Sequence, residues 1–225
     1  MDLTFSPEEE AIRDAIRGVL DTRQPLARVR VVMAEEPGVD AALWREAAGL
    51  GWFGLGIPEA AGGAGYGLPE EMILFVELGR SLAPGPWLGT VLAAHALAGE
   101  PALGSAHAAV VGGTRRVAVI DDPGDALGRG AQLAGAAARV PDAGIADAFL
   151  VVGGTAVRYL AADAAGLACM VAPSIDPTRR VGGVRCDGVT ATVLHAPAAA
   201  LRQQATVLVA AEAVGVAERT LTMSV

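Results

Sequence analysis

The stretch Leu50–Gly67, LGWFGLGIPEAAGGAGYG, decides how the fold of this chain is read. Glycines recur through it and Pro58 fixes a turn, so the backbone can take positive φ and pass close to itself. It lacks the preceding strand that a dinucleotide-binding turn requires, and glycine-rich loops between helices are more often structural than ligand-binding. On its amino side Asp40 caps a helix whose apolar positions are Leu43, Trp44, Ala47 and Leu50, ended by Gly51. On its carboxyl side Pro69-Glu70-Glu71 opens a helix running through Met72, Leu74, Phe75, Leu78 and Leu82, and Pro84 to Pro86 stops it.

Working outward, Ser6-Pro7-Glu8-Glu9 has the composition of a capping box with proline in the first helical turn. Ala11, Ile12, Ala15, Ile16, Val19 and Leu20 then line one helix face. Pro25 to Pro37 is less regular, and Trp87 to Ala98 is a mostly apolar helix, so the first hundred residues read as helical throughout. From Arg116 the pattern changes to short apolar runs between turn residues. Val117–Ile120, Ala146–Val152, Ala156–Leu160, Leu167–Ala172 and Thr190–Leu194 are the expected strands. From Ala198 helical spacing returns, with Leu201, Val207, Leu208, Val214 and Leu221 spread around the circumference, as on a helix that needs cover on several sides. The expected fold class is α+β: an all-helical N-terminal domain (1–112), a small β-sheet or barrel middle domain (113–196) and the first helix of an incomplete C-terminal helical bundle (197–225). The helical pattern still runs at Val225, which leaves open a fragment of a longer chain or a separate polypeptide that covers the last helix.

Composition narrows the chemistry. Of 225 residues 52% are hydrophobic and 19% charged, enough to build a sizeable core. The net charge of -8 and the absence of basic clusters oppose a nucleic-acid partner. All 17 basic residues are Arg, and neither Lys nor Asn occurs. That excludes a phosphate loop needing Lys, Schiff-base catalysis and N-glycosylation. No apolar segment reaches the roughly 18–20 residues of a membrane span. The acidic opening MDLTFSPEEE and the separated Cys169 and Cys186 are read as a cytoplasmic protein with reduced thiols. His95, His107 and His195 stand alone, without a second ligand at metal spacing, so no metal site is expected. No GxSxG nucleophile turn is present.

Local motifs add a family. Leu50-Gly51-Trp52-Phe53-Gly54-Leu55-Gly56-Ile57-Pro58-Glu59, followed by Gly62-Gly63-Ala64-Gly65, closely resembles the acyl-CoA dehydrogenase pattern of helix end, short turn, PE and GG. Glu77-Leu78-Gly79-Arg80 repeats that family's E-L-G-R. The resemblance implies FAD as cofactor, an acyl-CoA substrate and α,β-desaturation of the thioester, with a carboxylate removing the α proton while hydride passes to the flavin. It also implies two flavin-facing segments, and both are altered here. In place of T-E-P, Asp121 and Asp122 stand for Thr and Glu, and only Pro123 and Gly124 follow the pattern. In place of W-I-T or W-I-S stand Arg139, Val140 and Pro141, followed by Asp142, and Pro141 has neither hydroxyl nor amide proton. The interval between the segments is also shorter than in most members. Asp121, Pro123, Gly124, Arg139, Val140, Pro141 and Asp142 are the residues the resemblance assigns to cofactor binding. Ile175–Arg180 resembles a D-x-T-R-R segment whose arginines face an acyl-CoA phosphate or a neighbouring subunit, or form an ordinary charged loop.

The family places its catalytic base in the C-terminal bundle. Glu212 shows no matching motif, so no catalytic residue is assigned. Three readings stay open. The chain is part of an acyl-CoA dehydrogenase, or a degenerate subunit of a heteromeric enzyme that binds FAD only with its partner, or a non-catalytic scaffold associating through its C-terminal helix. A flavin-dependent oxygenase of the same architecture is a further alternative. In each, homo- or hetero-oligomers form through the C-terminal helical region.

Overall fold

The computed structural model describes residues 5–225. Helices α1 (Pro7–Arg23), α2 (Leu26–Val32), α3 (Ala41–Gly49), α4 (Leu68–Ser81), α5 (Trp87–Ala98) and α6 (Gly104–Val111) come first. Strands β1 (Val117–Asp122), β2 (Gln132–Pro141), β3 (Ala148–Gly153), β4 (Val157–Ala161), β5 (Leu167–Ala172), β6 (Val181–Thr190) and β7 (Thr192–Leu194) follow, and α7 (Ala198–Ser224) completes the order. The expected α+β architecture of a helical domain, a β domain and a C-terminal helix is what forms. Among the described residues no helix is long and apolar enough to cross a membrane.

The caps sit where the sequence placed them. Glu9 donates its amide to Ser6 Oγ at 3.2 Å while the Ser6 amide donates to Glu9 Oε2 at 2.6 Å, which satisfies two otherwise orphaned groups of α1. Asp40 Oδ1 accepts from the amides of Ala42 and Leu43 at 2.9 and 3.0 Å and starts α3. Gly51, at φ 78°, follows α3 in the left-handed region. The loop after it carries Trp52 and Phe53 into the core. There Phe53, Trp44 and Trp87 meet, with ring centroids 4.4 Å apart for Trp44–Phe53 and 4.7 Å for Trp44–Trp87. The loop satisfies its own backbone: the amides of Ala64, Gly65 and Tyr66 donate to the carbonyls of Gly54, Ile57 and Leu55. A side chain at Gly63 would overlap the Ile57 and Gly54 carbonyls. This stretch is therefore a packing device.

The same holds for Glu77-Leu78-Gly79-Arg80. Glu77 is fully buried and accepts from Arg17 of α1 and from Arg80, while Leu78 is in the core. Gly79 lets α4 cross α7 in backbone contact, since a methyl there would overlap the Glu212 carbonyl, and Gly215 of α7 lies equally tight against the Val76 carbonyl.

Two helices and two strands escaped the sequence pattern. α2 forms inside the stretch read as irregular, burying Val29 and Val32, and α6 follows α5. β2 and β6 pair antiparallel with each other, and β5 pairs with β6, in a three-stranded sheet ordered β2-β6-β5. The expected strand Thr190–Leu194 is divided: Thr190 ends β6, the chain crosses at Ala191, and Thr192–Leu194 joins a second sheet. That sheet is ordered β1-β3-β4-β7, with β1 and β3 parallel. One of its faces packs through Ile120, Phe149 and Leu160 onto Leu133, Val184 and Val189 of the three-stranded sheet. The other packs through Val117, Leu150 and Tyr159 onto Leu92, Ala96 and Leu201 of α5 and α7. β3 is buried along its whole length, which explains its unbroken apolar run AFLVVG.

Candidate functional site

The outer face of the four-stranded sheet does not close completely against the helices. Between it, α5 and α7 lies a cleft of about 350 Å³. Leu88 and Leu92 come from α5, Val119 from β1, Val152 from β3, and Leu201 and Val209 from α7. Such walls suit an apolar ligand. The charged residues lining the cleft are Asp121, near the end of β1, and Arg202, in the first turns of α7, and they are bound to each other. Arg202 Nε donates to Asp121 Oδ1 at 2.8 Å. Its Nη2 donates to the carbonyls of Val152 and Gly153 at 2.7 and 2.6 Å, so the guanidinium also caps the end of β3. Thr206 stands one turn further along the same side of α7, its hydroxyl donating to the Arg202 carbonyl at 2.8 Å.

The residues assigned to cofactor binding are split between the two sheets. Asp121 lines the cleft; Pro123 and Gly124 follow in an exposed turn. Between them Asp122 is buried, and its carboxylate accepts from the amides of Ala126 and Leu127 at 2.7 and 2.9 Å, which holds the turn. Arg139–Asp142 lie on and just beyond the end of β2, in the other sheet. Arg139 is exposed with φ 55°, where the β2–β6 register shifts, while Val140 is buried in the β core and Pro141 is exposed. Asp142 is buried with φ 58°, and its amide donates to the Arg180 carbonyl at 2.6 Å.

A flavin at these positions needs hydroxyl and amide donors. Asp121 offers an acceptor already bonded to Arg202, the Asp142 amide is spent, and Pro141 has none.

The Asp142 carboxyl faces Arg179 and Glu212, which form an ion pair between the β5–β6 loop and α7. Burial pushes it up to about 6, with Arg179 opposing and Glu212 adding to the shift. Arg180 donates to the carbonyls of Met33 and Glu35, behind α2. Both arginines of Ile175–Arg180 are thus engaged within the chain, and Glu212 is an interelement ion-pair partner. His95 Nε2 lies 2.6 Å from Glu71 Oε1, and the buried Glu71 also accepts from Gln204 of α7 at 2.7 Å. His195 pairs with Glu100 at 3.0 Å. Among the described residues no group of three or more His, Cys, Asp or Glu is placed to hold a metal ion.

Arg202 is the site residue the sequence pattern missed. It stands 81 positions from Asp121, and a single Arg near the start of a mostly apolar helix carries no local signal of its partner.

Residues 6–105 match the family model described as acyl-CoA dehydrogenase, N-terminal domain. The acyl-CoA dehydrogenase IpdE2 of Mycobacterium tuberculosis is 32% identical over 227 residues, covering 99% of this chain and 64% of the relative. The chain thus spans less than two thirds of that relative's length. Among solved structures, a variant of the Tcur3481-Tcur3483 steroid acyl-CoA dehydrogenase superposes with TM-score 0.83 at 30% identity, over 96% of this chain and 65% of that one. The ChsE4-ChsE5 complex of Mycobacterium tuberculosis gives TM-score 0.84 at 28% identity, over 99% and 67%. The chain belongs to the acyl-CoA dehydrogenase family, carrying its N-terminal helical domain, its middle β domain and one C-terminal helix.

Proposed function

We propose that this chain supplies the acyl-binding cleft of a heteromeric acyl-CoA dehydrogenase, with the catalytic base and the rest of the flavin site supplied from outside residues 1–225. The observation that carries the proposal is the cleft itself: apolar walls from four elements, and two lining charges, Asp121 and Arg202, that satisfy each other. Its lining suits the apolar body of an acyl thioester, and Asp121, the carboxylate lining it, is paired with Arg202 while the cleft is empty. FAD, when bound, would supply the redox step of α,β-desaturation, with Asp121, Pro123, Gly124 and Arg139–Asp142 forming at most one edge of its site. One similar structure is described as the ChsE4-ChsE5 complex, which supports a heteromer, and another, Tcur3481-Tcur3483, as a steroid acyl-CoA dehydrogenase, which makes a steroid-derived acyl group the first substrate class to try. The exposed side of α7 is the proposed interface.

One preparation tests this. The chain is purified alone and with the product of its neighbouring gene, and visible spectra, native mass and acyl-CoA turnover are recorded. The expected result is a colourless chain alone and a flavin-containing, active complex with the partner. Flavin or turnover in the chain alone overturns the dependence, and no flavin in either preparation favours the scaffold reading, for which the exposed Val214, Leu221 and Met223 of α7 speak. The oxygenase alternative predicts oxygen consumption without an electron acceptor.

A further inference from the structure

One end of the cleft is apolar and the other is a guanidinium. Arg202 does not depend on Asp121 for its position, because Nη2 is held by the carbonyls of Val152 and Gly153. Its side chain is 28% exposed, against 63% for Asp121. Among the described residues Nη1 makes no hydrogen bond. The two partners are thus unequal: the cation is anchored to the sheet and the anion is a solvent-facing group that can turn into water. An ion pair with so exposed a member contributes little to stability, so giving it up is cheap. An incoming anion that also buries an apolar body has the advantage, since the guanidinium presents a planar fork suited to a carboxylate.

We infer that the cleft takes an apolar ligand ending in a carboxylate, that Arg202 is its counter-ion, and that Asp121 is a built-in competitor which holds the same guanidinium while the cleft is empty. The inference rests on the reading of the cleft as an acyl-binding site and narrows its substrate class to acyl groups, or free acids, with a terminal carboxylate away from any thioester. The net charge of -8 disfavours anions in general, which leaves an anchored arginine at the end of an apolar cleft as a selective device.

Calorimetric titration of the 225-residue chain with decanoate and with decanamide separates charge from shape, because the two probes share one apolar body. Decanoate is expected to bind about tenfold more tightly, and D121N, at an exposed position, should widen the gap by a further factor of about three to ten by removing the competitor. R202M should abolish the preference, and circular dichroism checks that it still folds. D121N keeps the test valid if R202M does not fold. Decanoyl-CoA and the CoA monothioester of decanedioate, titrated in parallel, tell whether the carboxylate comes on a free acid or on a thioester. Equal affinity for decanoate and decanamide, or a preference unchanged in both variants, overturns the assignment of Arg202 and leaves the apolar cleft standing. No binding of any of the four probes to wild type or D121N overturns both.

Discussion

Asp142 shows how one buried carboxyl makes stability depend on pH. An aspartate ordinarily ionises near 3.8, and burial between Arg179 and Glu212 raises Asp142 to about 6. The folded chain therefore favours the protonated acid. This group's contribution is fully present below its unfolded value and is lost as pH rises through about 6, leaving at neutral pH an ionised, buried carboxylate that costs on the order of 2 kcal/mol. Asp142→Asn keeps a residue that tolerates φ 58° and removes the charge. It should be more stable than wild type by on the order of 2 kcal/mol at pH 7 and nearly equal to it at pH 4, as read from urea midpoints. A gap of the same size at both values would assign the effect to something other than ionisation. None of this was legible in the sequence. Arg139–Asp142 could be aligned by resemblance, but the Asp142 surroundings come from a loop and a helix far along the chain.

At the scale of elements, the α4–α7 crossing is the tightest constraint in the helical half. Gly79 and Gly215 bring the two backbones into contact, and through Glu212 the same crossing positions the partner of Arg179. Gly215→Ala gains up to about 1 kcal/mol of helix propensity but must push the helices apart. The expected net loss is about 2–4 kcal/mol in thermal or denaturant unfolding, with a larger loss in the Gly79→Ala, Gly215→Ala double variant. A neutral Gly215→Ala would show that the crossing has slack. The ELGR motif and Leu50–Gly67 were visible in the sequence because proline, glycine and caps act locally. β2 and β6 were not, since QLAGAAARVP and VGGVRCDGVT are built of small residues with weak strand preference. Their structure comes from pairing across some forty to sixty positions, such as Gln132 with Thr190 and Val140 with Gly182, a relation absent from either segment alone.

At the scale of the whole molecule, α7 presents an exposed apolar side. Leu221 and Met223 are 68% and 64% exposed, and they stand on a helix whose other side is packed against α4. Leu221→Glu with Met223→Glu should leave the circular dichroism spectrum unchanged and weaken association with a partner or second copy by about 10–100-fold in analytical ultracentrifugation. Unchanged association would place the interface elsewhere. By itself the sequence determined the order of helices, strands and helix, the caps, the loop Leu50–Gly67 and the family, because each is written in residues within about one turn or one strand of each other. Only the tertiary structure decided that Asp121 is bound to Arg202, that Arg179 belongs to Glu212, and that an apolar cleft lies behind that first pair. Ion pairs and cavities depend on where distant side chains meet, and that is fixed by packing of whole elements rather than by the pattern within any one of them.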